Sequence, residues 1–172
     1  MHVLVIGIAG VGKSYLVDRM KERGFNAFDA DSHGLTKFVD ARGREVHYNP
    51  KGGDKWWSNH YYVFNVEYLK WLLKQNRMLY LFGDVGGRPG KGDGEFEVMN
   101  MFDKVYYLKA SKAVIKRRLM TRKNNLFGKH QEELKGVLEY RKGELDSKAK
   151  KLGLKTIDAS LPYKKIIKMI TS

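Results

Sequence analysis

The stretch VLVIGIAGVGKS, residues 3–14, decides the fold of this chain. Its first four residues are apolar and mostly β-branched, which is typical of a strand that is buried on both faces of a parallel sheet. The remaining eight match G-x-x-x-x-G-K-[ST], the phosphate-binding P-loop. A helical pattern with Leu16, Val17 and Met20 on one face follows the motif and ends near Gly24. Strand, loop and helix in this order predict a nucleotide-phosphate site.

The motif assigns a part to each of its residues. Glycines let the backbone curl so that successive N–H groups point at one anion. Lys13 is of the right type and position to reach the β- and γ-phosphates, and the Ser14 hydroxyl to ligate Mg²⁺. We therefore expect ATP and Mg²⁺ as cofactors. The predicted nucleotide-binding residues of this segment are Gly7, Ala9, Gly10, Val11, Gly12, Lys13, Ser14 and Tyr15.

Composition narrows the class of protein further. The chain has 172 residues, 42% of them hydrophobic, and no cysteine. This length fits one compact domain, residues 1–172, with a sizeable core. The missing cysteines exclude disulfides, thiolate metal sites and cysteine nucleophiles. No apolar run is long enough for a membrane span, and the N-terminus lacks the basic region of a signal peptide, so we expect a cytoplasmic protein that does not contact membranes.

Positive charge is concentrated in one part of the chain. The formal net charge is +14, and residues 109–155 alone carry 15 basic and 5 acidic side chains, a net +10. Such a block can be a solvated helical face, a phosphate clamp or a nucleic-acid surface.

Two carboxylates follow the second predicted strand, residues 25–28. Asp29 and Asp31 are two residues apart on an extended segment and therefore point the same way. At the carboxyl end of a strand beside a P-loop they would face the ligand crevice of an open α/β sheet. One can hold Mg²⁺ and the other can accept a hydroxyl proton. The alternative is a structural turn, since Asp31 and Ser32 also suit a helix N-cap.

The order of these parts resembles the small P-loop kinases, among them adenylate, shikimate and gluconate kinases, over nearly the whole chain. The resemblance implies an α/β fold, a three-layer α/β/α sandwich around a mostly parallel five-stranded sheet. It also implies an acceptor-binding arm at about residues 32–75 and an arginine-rich lid at about 117–142. By the same resemblance Asp29 lies on the magnesium side, and Asp31 is the catalytic carboxylate on the acceptor side.

A Gly/Asp turn follows the third predicted core strand, residues 78–82. By resemblance Asp84 is a further candidate for the metal shell, although it follows Gly83 instead of ending the strand directly. Gly86 and Arg88, in the glycine-rich loop after it, are candidate acceptor contacts. Further strands are expected at residues 105–108 and near 156–159, with a final helix at 163–170.

The predicted lid carries an R-x-x-x-R pair, Arg118 and Arg122, at helical spacing on a predicted helix that Ser111 caps. In the kinases that this chain resembles, such a pair swings over the nucleotide. A guanidinium donates to two phosphate oxygens and keeps its charge, so both arginines are predicted catalytic phosphate clamps. Lys129 and Arg141 are weaker candidates.

The arm is the least familiar part of the sequence. A hairpin is expected around Gly43, and an aromatic cluster is expected at the start of a helix running to about Gln75. Aromatic side chains there can stack on a base, and basic ones can hold phosphate or a hydroxyl. One tryptophan of the cluster is expected in the core. The candidate substrate-binding residues of the arm are Arg42, Trp56, Trp57 and His60.

These features predict an ATP-dependent kinase whose acceptor is a hydroxyl or a phosphate. The surplus of positive charge favours a nucleotide, a nucleoside or a hydroxyl on nucleic acid, with the 109–155 face as a DNA-binding surface. A small non-nucleotide metabolite is the alternative acceptor. A regulatory NTPase without acceptor chemistry explains Asp31 and the aromatic cluster less well.

Overall fold

The structure, a computed structural model, describes residues 1–32, 34–49, 52–123 and 127–172. His33, Pro50 and Lys51 of the predicted arm and residues 124–126 of the predicted lid lie outside the described residues. The strands are β1 His2–Ile6, β2 Ala27–Asp29, β3 Thr36–Asp40, β4 Glu45–Val46, β5 His60–Phe64, β6 Leu79–Gly83, β7 Lys104–Lys109 and β8 Lys155–Asp158. The α-helices are α1 Lys13–Lys21, α2 Gly53–Trp57, α3 Val66–Gln75, α4 Glu95–Val98, α5 Lys112–Thr121, α6 Gln131–Lys135, α7 Lys142–Lys151 and α8 Tyr163–Thr171.

Five strands form a parallel sheet in the order β2-β6-β1-β7-β8. In the centre, Val5 of β1 lies opposite Phe82 of β6 and Tyr106 of β7. Residues 3–6 and 79–83 are buried, as expected for strands covered on both faces. Helices flank this sheet, so the predicted α/β architecture is confirmed.

Strand order determines which loops meet. Because β6 lies between β2 and β1, the loop after β6 lies between the Asp29–Asp31 segment and the P-loop. Asp84, which directly follows β6, therefore lies between the Asp29–Asp31 segment and the P-loop. All three segments lie at the carboxyl ends of their strands. This edge is where open α/β sheets bind ligands.

A second, antiparallel sheet of three strands, β4-β3-β5, makes up the arm. The hairpin around Gly43 is confirmed, but the expected helix start is wrong. Residues 60–64 form β5, in which Tyr62 lies opposite Phe38, and α3 begins only after Asn65, whose side chain accepts the Tyr68 N–H. Aromatic and β-branched residues favour a pleated, half-buried strand, and pairing with β3 provides its partner.

Helices α5 and α8 both contribute side chains to the core. Ser111 caps α5 by accepting the Val114 N–H, and Ile166, Ile167 and Ile170 of α8 are buried, as predicted. Between α6 and α7, residues Gly136–Arg141 form a π-helical turn. Within the described ranges, none of the helices has the length and apolar character needed to cross a membrane.

Candidate active site

The P-loop has the curled backbone that its sequence predicts. Gly10 and Gly12 adopt positive φ angles of 82° and 111°, which disfavour any residue with a side chain. A Cβ on Gly10 would also lie 2.7 Å from Leu119 Cγ. The buried Lys13 ammonium donates to the carbonyls of Gly7, at 2.6 Å, and Ile8, at 3.2 Å. The helix α1 starts at the end of this loop, so its first N–H groups and Lys13 offer positive charge to one anion.

Ser14 and Asp29 form the candidate metal side of the site. Ser14 Oγ donates to Asp29 Oδ2 at 2.6 Å, and Asp29 Oδ1 accepts the Asp31 N–H at 3.2 Å. A hydroxyl and a carboxylate are hard oxygen ligands, and a site with only two protein ligands suits Mg²⁺, which keeps waters and phosphate oxygens around it. The residues present therefore fit this ion.

Asp31 is held by a residue that sequence reasoning did not select. Tyr62 OH donates to Asp31 Oδ1 at 2.6 Å. The Thr36 hydroxyl lies 2.5 Å from the Tyr62 oxygen and 2.9 Å from the Ala30 carbonyl. Tyr62 of β5 thus holds the Asp31 carboxylate directly, and Thr36 of β3 supports Tyr62. The only signal for Tyr62 in the sequence was its place in the aromatic cluster, and there was none for Thr36.

The environment of Asp31 makes it a stronger base than a free aspartate. Desolvation in the cleft raises the pKa of Asp31, and the negative charges of Asp29 and Asp84 act in the same direction. The hydrogen bond from Tyr62 and the charge of Lys13 lower the pKa by less, so the net direction is upward. A carboxylate with a raised pKa is better matched to accepting a proton near neutral pH.

Both lid arginines lie close to the nucleotide end of the sheet. Arg118 donates to the Val11 carbonyl at 2.5 Å and to the Ala159 carbonyl at 2.9 Å, joining the P-loop to the loop after β8. Arg122 donates to the Phe127 carbonyl, and its buried Nε has no hydrogen-bond partner among the described residues. Desolvation lowers the pKa of Arg122, while Glu133 and Asp31 raise it through their charges. Arg122 and Asp31 are therefore within electrostatic range of each other.

Asp84 is bonded on both oxygens. Its Oδ2 accepts the Ala9 N–H at 3.1 Å, and its Oδ1 accepts Arg141 Nε at 2.8 Å. Arg141 also donates to Glu144 at 2.8 Å and to the buried Glu95. Burial raises the pKa of Glu95 to about 7 despite the opposing charge of Arg141. The part of Asp84 in a metal shell stays a prediction.

The predicted acceptor residues of the arm fall into buried and accessible groups. Trp56 is 9% exposed and packs on Phe38 and Tyr48. Trp57 is 40% exposed, although its ring also contacts the rings of Phe38, Tyr48 and Trp56. His60 stacks on Trp56 with the two ring centroids 4.5 Å apart, and its Nδ1 lies 2.7 Å from the Trp56 carbonyl oxygen. Trp56 is therefore the core member of the pair, and Trp57 remains available to a ligand.

The other three acceptor candidates lie on turns. Arg42 is exposed in the β3–β4 hairpin. Gly86 is exposed, and the N–H of its neighbour Gly87 donates to the Tyr62 carbonyl at 2.9 Å. Arg88 Nε donates to the buried Asp93 at 2.7 Å, which fixes its guanidinium beside the hairpin at Gly43. The glycine-rich loop thus contacts the arm at the residue that holds Asp31.

The predicted arm and the predicted lid are also joined by hydrogen bonds. Tyr48 OH donates to Glu133 Oε1 at 2.8 Å, and Glu133 Oε2 accepts the Gly128 N–H at 2.8 Å. The two oxygens of one carboxylate therefore link the aromatic arm to the segment after Arg122. Neither Tyr48 nor Glu133 was distinguished by any motif.

Comparison with known proteins establishes the class of the fold. Shikimate kinase from Acinetobacter baumannii, in complex with shikimate, is similar with a TM-score of 0.62, at 14% identity over 99% of this chain and 92% of that one. Shikimate kinase from Aquifex aeolicus gives 0.54, at 18% identity over 99% and 94%. Deoxyadenosine kinase from M. mycoides with bound dATP gives 0.51, at 17% identity over 99% and 97%.

The chain therefore has the fold of the small P-loop kinases, over nearly its whole length. No protein-family model matches the sequence, and no curated protein is similar to it in sequence.

Proposed function

We propose that this protein is an ATP-dependent kinase that transfers the γ-phosphoryl group to a hydroxyl of its acceptor. The observation that carries the proposal is the position of Asp31, fixed by Tyr62 2.6 Å away and two residues from the Asp29–Ser14 pair. A phosphate acceptor needs no base, whereas a hydroxyl loses its proton in the reaction. A carboxylate with a raised pKa beside a P-loop is suited to that step.

The phosphate side of the site binds and neutralises the triphosphate. P-loop N–H groups cradle the phosphates, and Lys13 moves from its two carbonyls to the β- and γ-phosphates. Ser14 and Asp29 would hold Mg²⁺, which supplies positive charge to the phosphates when bound; Asp84 is a further candidate. Arg118 and Arg122 offset charge on the transferring group.

The acceptor side performs the proton transfer. Asp31 Oδ1 is already occupied by Tyr62, so Oδ2 accepts the proton of the acceptor hydroxyl. The hydroxyl oxygen forms a bond to the γ-phosphorus as the bond from that phosphorus to the bridging oxygen of ADP breaks. The proton stays on Asp31 until products leave.

For the acceptor we propose a nucleoside, a nucleotide or a hydroxyl on nucleic acid. The accessible Trp57 ring at the arm offers a stacking surface that is tolerant of base identity. Among the described residues, Lys112, Lys116, Arg117 and Lys123 make no ion pair and lie on or next to α5, which leaves them free for a polyanion. A small metabolite is the alternative, and the structural neighbours include kinases named for shikimate and for deoxyadenosine.

A labelling experiment tests the proposal. The protein is incubated with Mg²⁺ and γ-labelled ATP in the presence of nucleosides, nucleotides, metabolites, and single- and double-stranded oligonucleotides. We expect label on a hydroxyl of one class, and loss of that label in Asp31→Asn. Labelling that is unchanged in Asp31→Asn would contradict the part assigned to this residue. Oligonucleotide binding, measured across a salt titration, tests nucleic acid as the acceptor by itself. This part of the proposal fails if no affinity is seen at low salt.

A further inference from the structure

Arg141 and the carboxylates around it form a charged cluster, of which the proposed reaction uses only Asp84, as a further candidate for the Mg²⁺ shell. Its guanidinium donates to Asp84 through Nε, to Glu144 through Nη1 and to Glu95 through Nη2. Glu95 is 1% exposed, and Arg141 is largely buried. Burying charges is unfavourable unless they are closely paired. We therefore expect this cluster, which lies between the sheet and the predicted lid, to have a specific role.

The cluster ends on one peptide group of the P-loop. Asp84 Oδ2 accepts the N–H of the Ile8–Ala9 peptide unit, which belongs to Ala9, at 3.1 Å. The carbonyl of the same peptide unit, that of Ile8, accepts Lys13 Nζ at 3.2 Å. The Ile8–Ala9 peptide is thus held from both sides, by Asp84 and by Lys13. If it turned over, the Ile8 carbonyl would leave Lys13 and face the side that now presents an N–H group.

Arg141 reaches this peptide from the end of the lid. It is the last residue of the π-helical turn Gly136–Arg141, directly before α7. Turns of this type insert an extra residue into a helix and often re-aim a side chain at a functional site. A planar guanidinium can pair with three carboxylates at once, which an ammonium group does less well.

We propose that Arg141 is a positioning residue that sets the orientation of the Ile8–Ala9 peptide through Asp84 and couples the P-loop to the end of the predicted lid. The inference rests on the proposed function only in that the P-loop binds ATP. Without Arg141, Asp84 would carry an uncompensated negative charge next to the triphosphate site. The Ile8–Ala9 peptide would also lose the anchored partner of its N–H group.

The test compares Arg141→Met and Arg141→Lys with Leu145→Ala. Leu145 is fully buried on α7, so its truncation destabilises the same helix but leaves the carboxylate cluster intact. The first measurement is amide hydrogen exchange at Ala9 in nucleotide-free protein. We expect protection of Ala9 to be lost in Arg141→Met, partly retained in Arg141→Lys and kept in Leu145→Ala.

The second measurement is equilibrium binding of a fluorescent ATP analogue with no acceptor present. A coupling between separated elements is typically worth about 5- to 150-fold in affinity, and we expect Arg141→Met to bind at least about tenfold more weakly than wild type. Arg141→Lys should fall between, and it serves alone if the Met variant does not fold. Unchanged Ala9 protection and affinity in the Arg141 variants, or equal losses in Leu145→Ala, would overturn the proposal.

These readouts are independent of phosphoryl transfer. Failure to label any acceptor would count against the proposed function while leaving the hydrogen-exchange result to decide on Arg141. A protein in which Ala9 protection depends on Arg141 but no nucleotide binds would uphold the positioning and refute the kinase.

Discussion

The proposed phosphate side and the proposed acceptor side of this cleft are built in different ways. On the phosphate side, eight consecutive residues supply backbone N–H groups, one ammonium and one hydroxyl, and two glycines with positive φ shape the loop. On the acceptor side, Asp31 depends on Tyr62, which belongs to another sheet and lies 31 residues away. Binding a triphosphate needs a local backbone shape, whereas orienting an acceptor needs side chains from distant segments. Variants on the two sides should therefore change different kinetic parameters.

Asp31→Asn should have the largest effect on the acceptor side. Removing a general base lowers kcat by about 10²- to 10⁴-fold, while the affinity for ATP is expected to stay near that of wild type. Steady-state kinetics and nucleotide binding measure the two quantities. Asp18→Asn, an exposed aspartate on α1, is the matched control. Equal losses in both variants would show that the effect is not specific to the cleft.

Lys13→Ala should have the largest effect on the phosphate side. Loss of one preorganised donor to a charged transition state lowers kcat by about 10²- to 10³-fold, and here nucleotide affinity should fall as well. Lys21→Ala removes an exposed lysine from the end of the same helix and should leave both parameters unchanged. If Lys13→Ala spared ATP binding, the division into two sides would be wrong.

Tyr62→Phe tests the link between the arm and the base. A hydrogen bond to a charged group contributes about 1.5–3 kcal/mol, so kcat should fall by about 10- to 150-fold. Because this hydrogen bond stabilises ionised Asp31, its loss raises the pKa of Asp31 further. The limb of the pH–rate profile on which Asp31 must be ionised should therefore move to higher pH. A pH–rate profile that does not move would show that Tyr62 does not influence the ionisation of Asp31.

Trp57→Ala and Trp56→Ala should give the smallest effects on turnover and should separate binding from stability. Stacking of a base on an aromatic ring is worth about 1–3 kcal/mol, so Trp57→Ala should raise the acceptor KM. Truncation of the buried Trp56 should destabilise by about 3 kcal/mol, measured by thermal denaturation, and Trp57→Ala should lower the melting temperature less. Equal losses of melting temperature in the two variants would mean that Trp57 is mainly a structural residue.

Much of the phosphate side could be predicted from residues 3–14. The strand, the curled loop and the following helix are all present, and Asp29 lies beside Ser14 as the D-x-D spacing suggested. The five-stranded sheet was also expected, from the resemblance to the small P-loop kinases; β1 and β6 are short apolar runs, whereas β8, Lys155–Asp158, is not. Residues 60–64 were assigned to a helix but form a strand. A short aromatic-rich run has no periodicity that distinguishes a helix from a strand, and its pairing with β3 is not visible in the sequence.

The acceptor side was predictable only as a region. Residue spacing placed aromatic side chains in the arm, but it could not distinguish the buried Trp56 from the accessible Trp57. It also did not indicate that Tyr48 meets Glu133, 85 residues away, or that Arg141 reaches Asp84. Such contacts follow from strand pairing and helix placement, which depend on the whole chain.

Residues 3–14 were enough to predict the proposed phosphate side, because a P-loop is a local structure whose glycines, lysine and serine act through neighbouring backbone atoms. How Asp31 is held and how Asp84 is neutralised depends instead on the folding of the whole chain. The partners of these carboxylates, Tyr62 and Arg141, come from a different sheet and from the end of the lid, and only the packing of those elements against the central sheet brings them within hydrogen-bond distance.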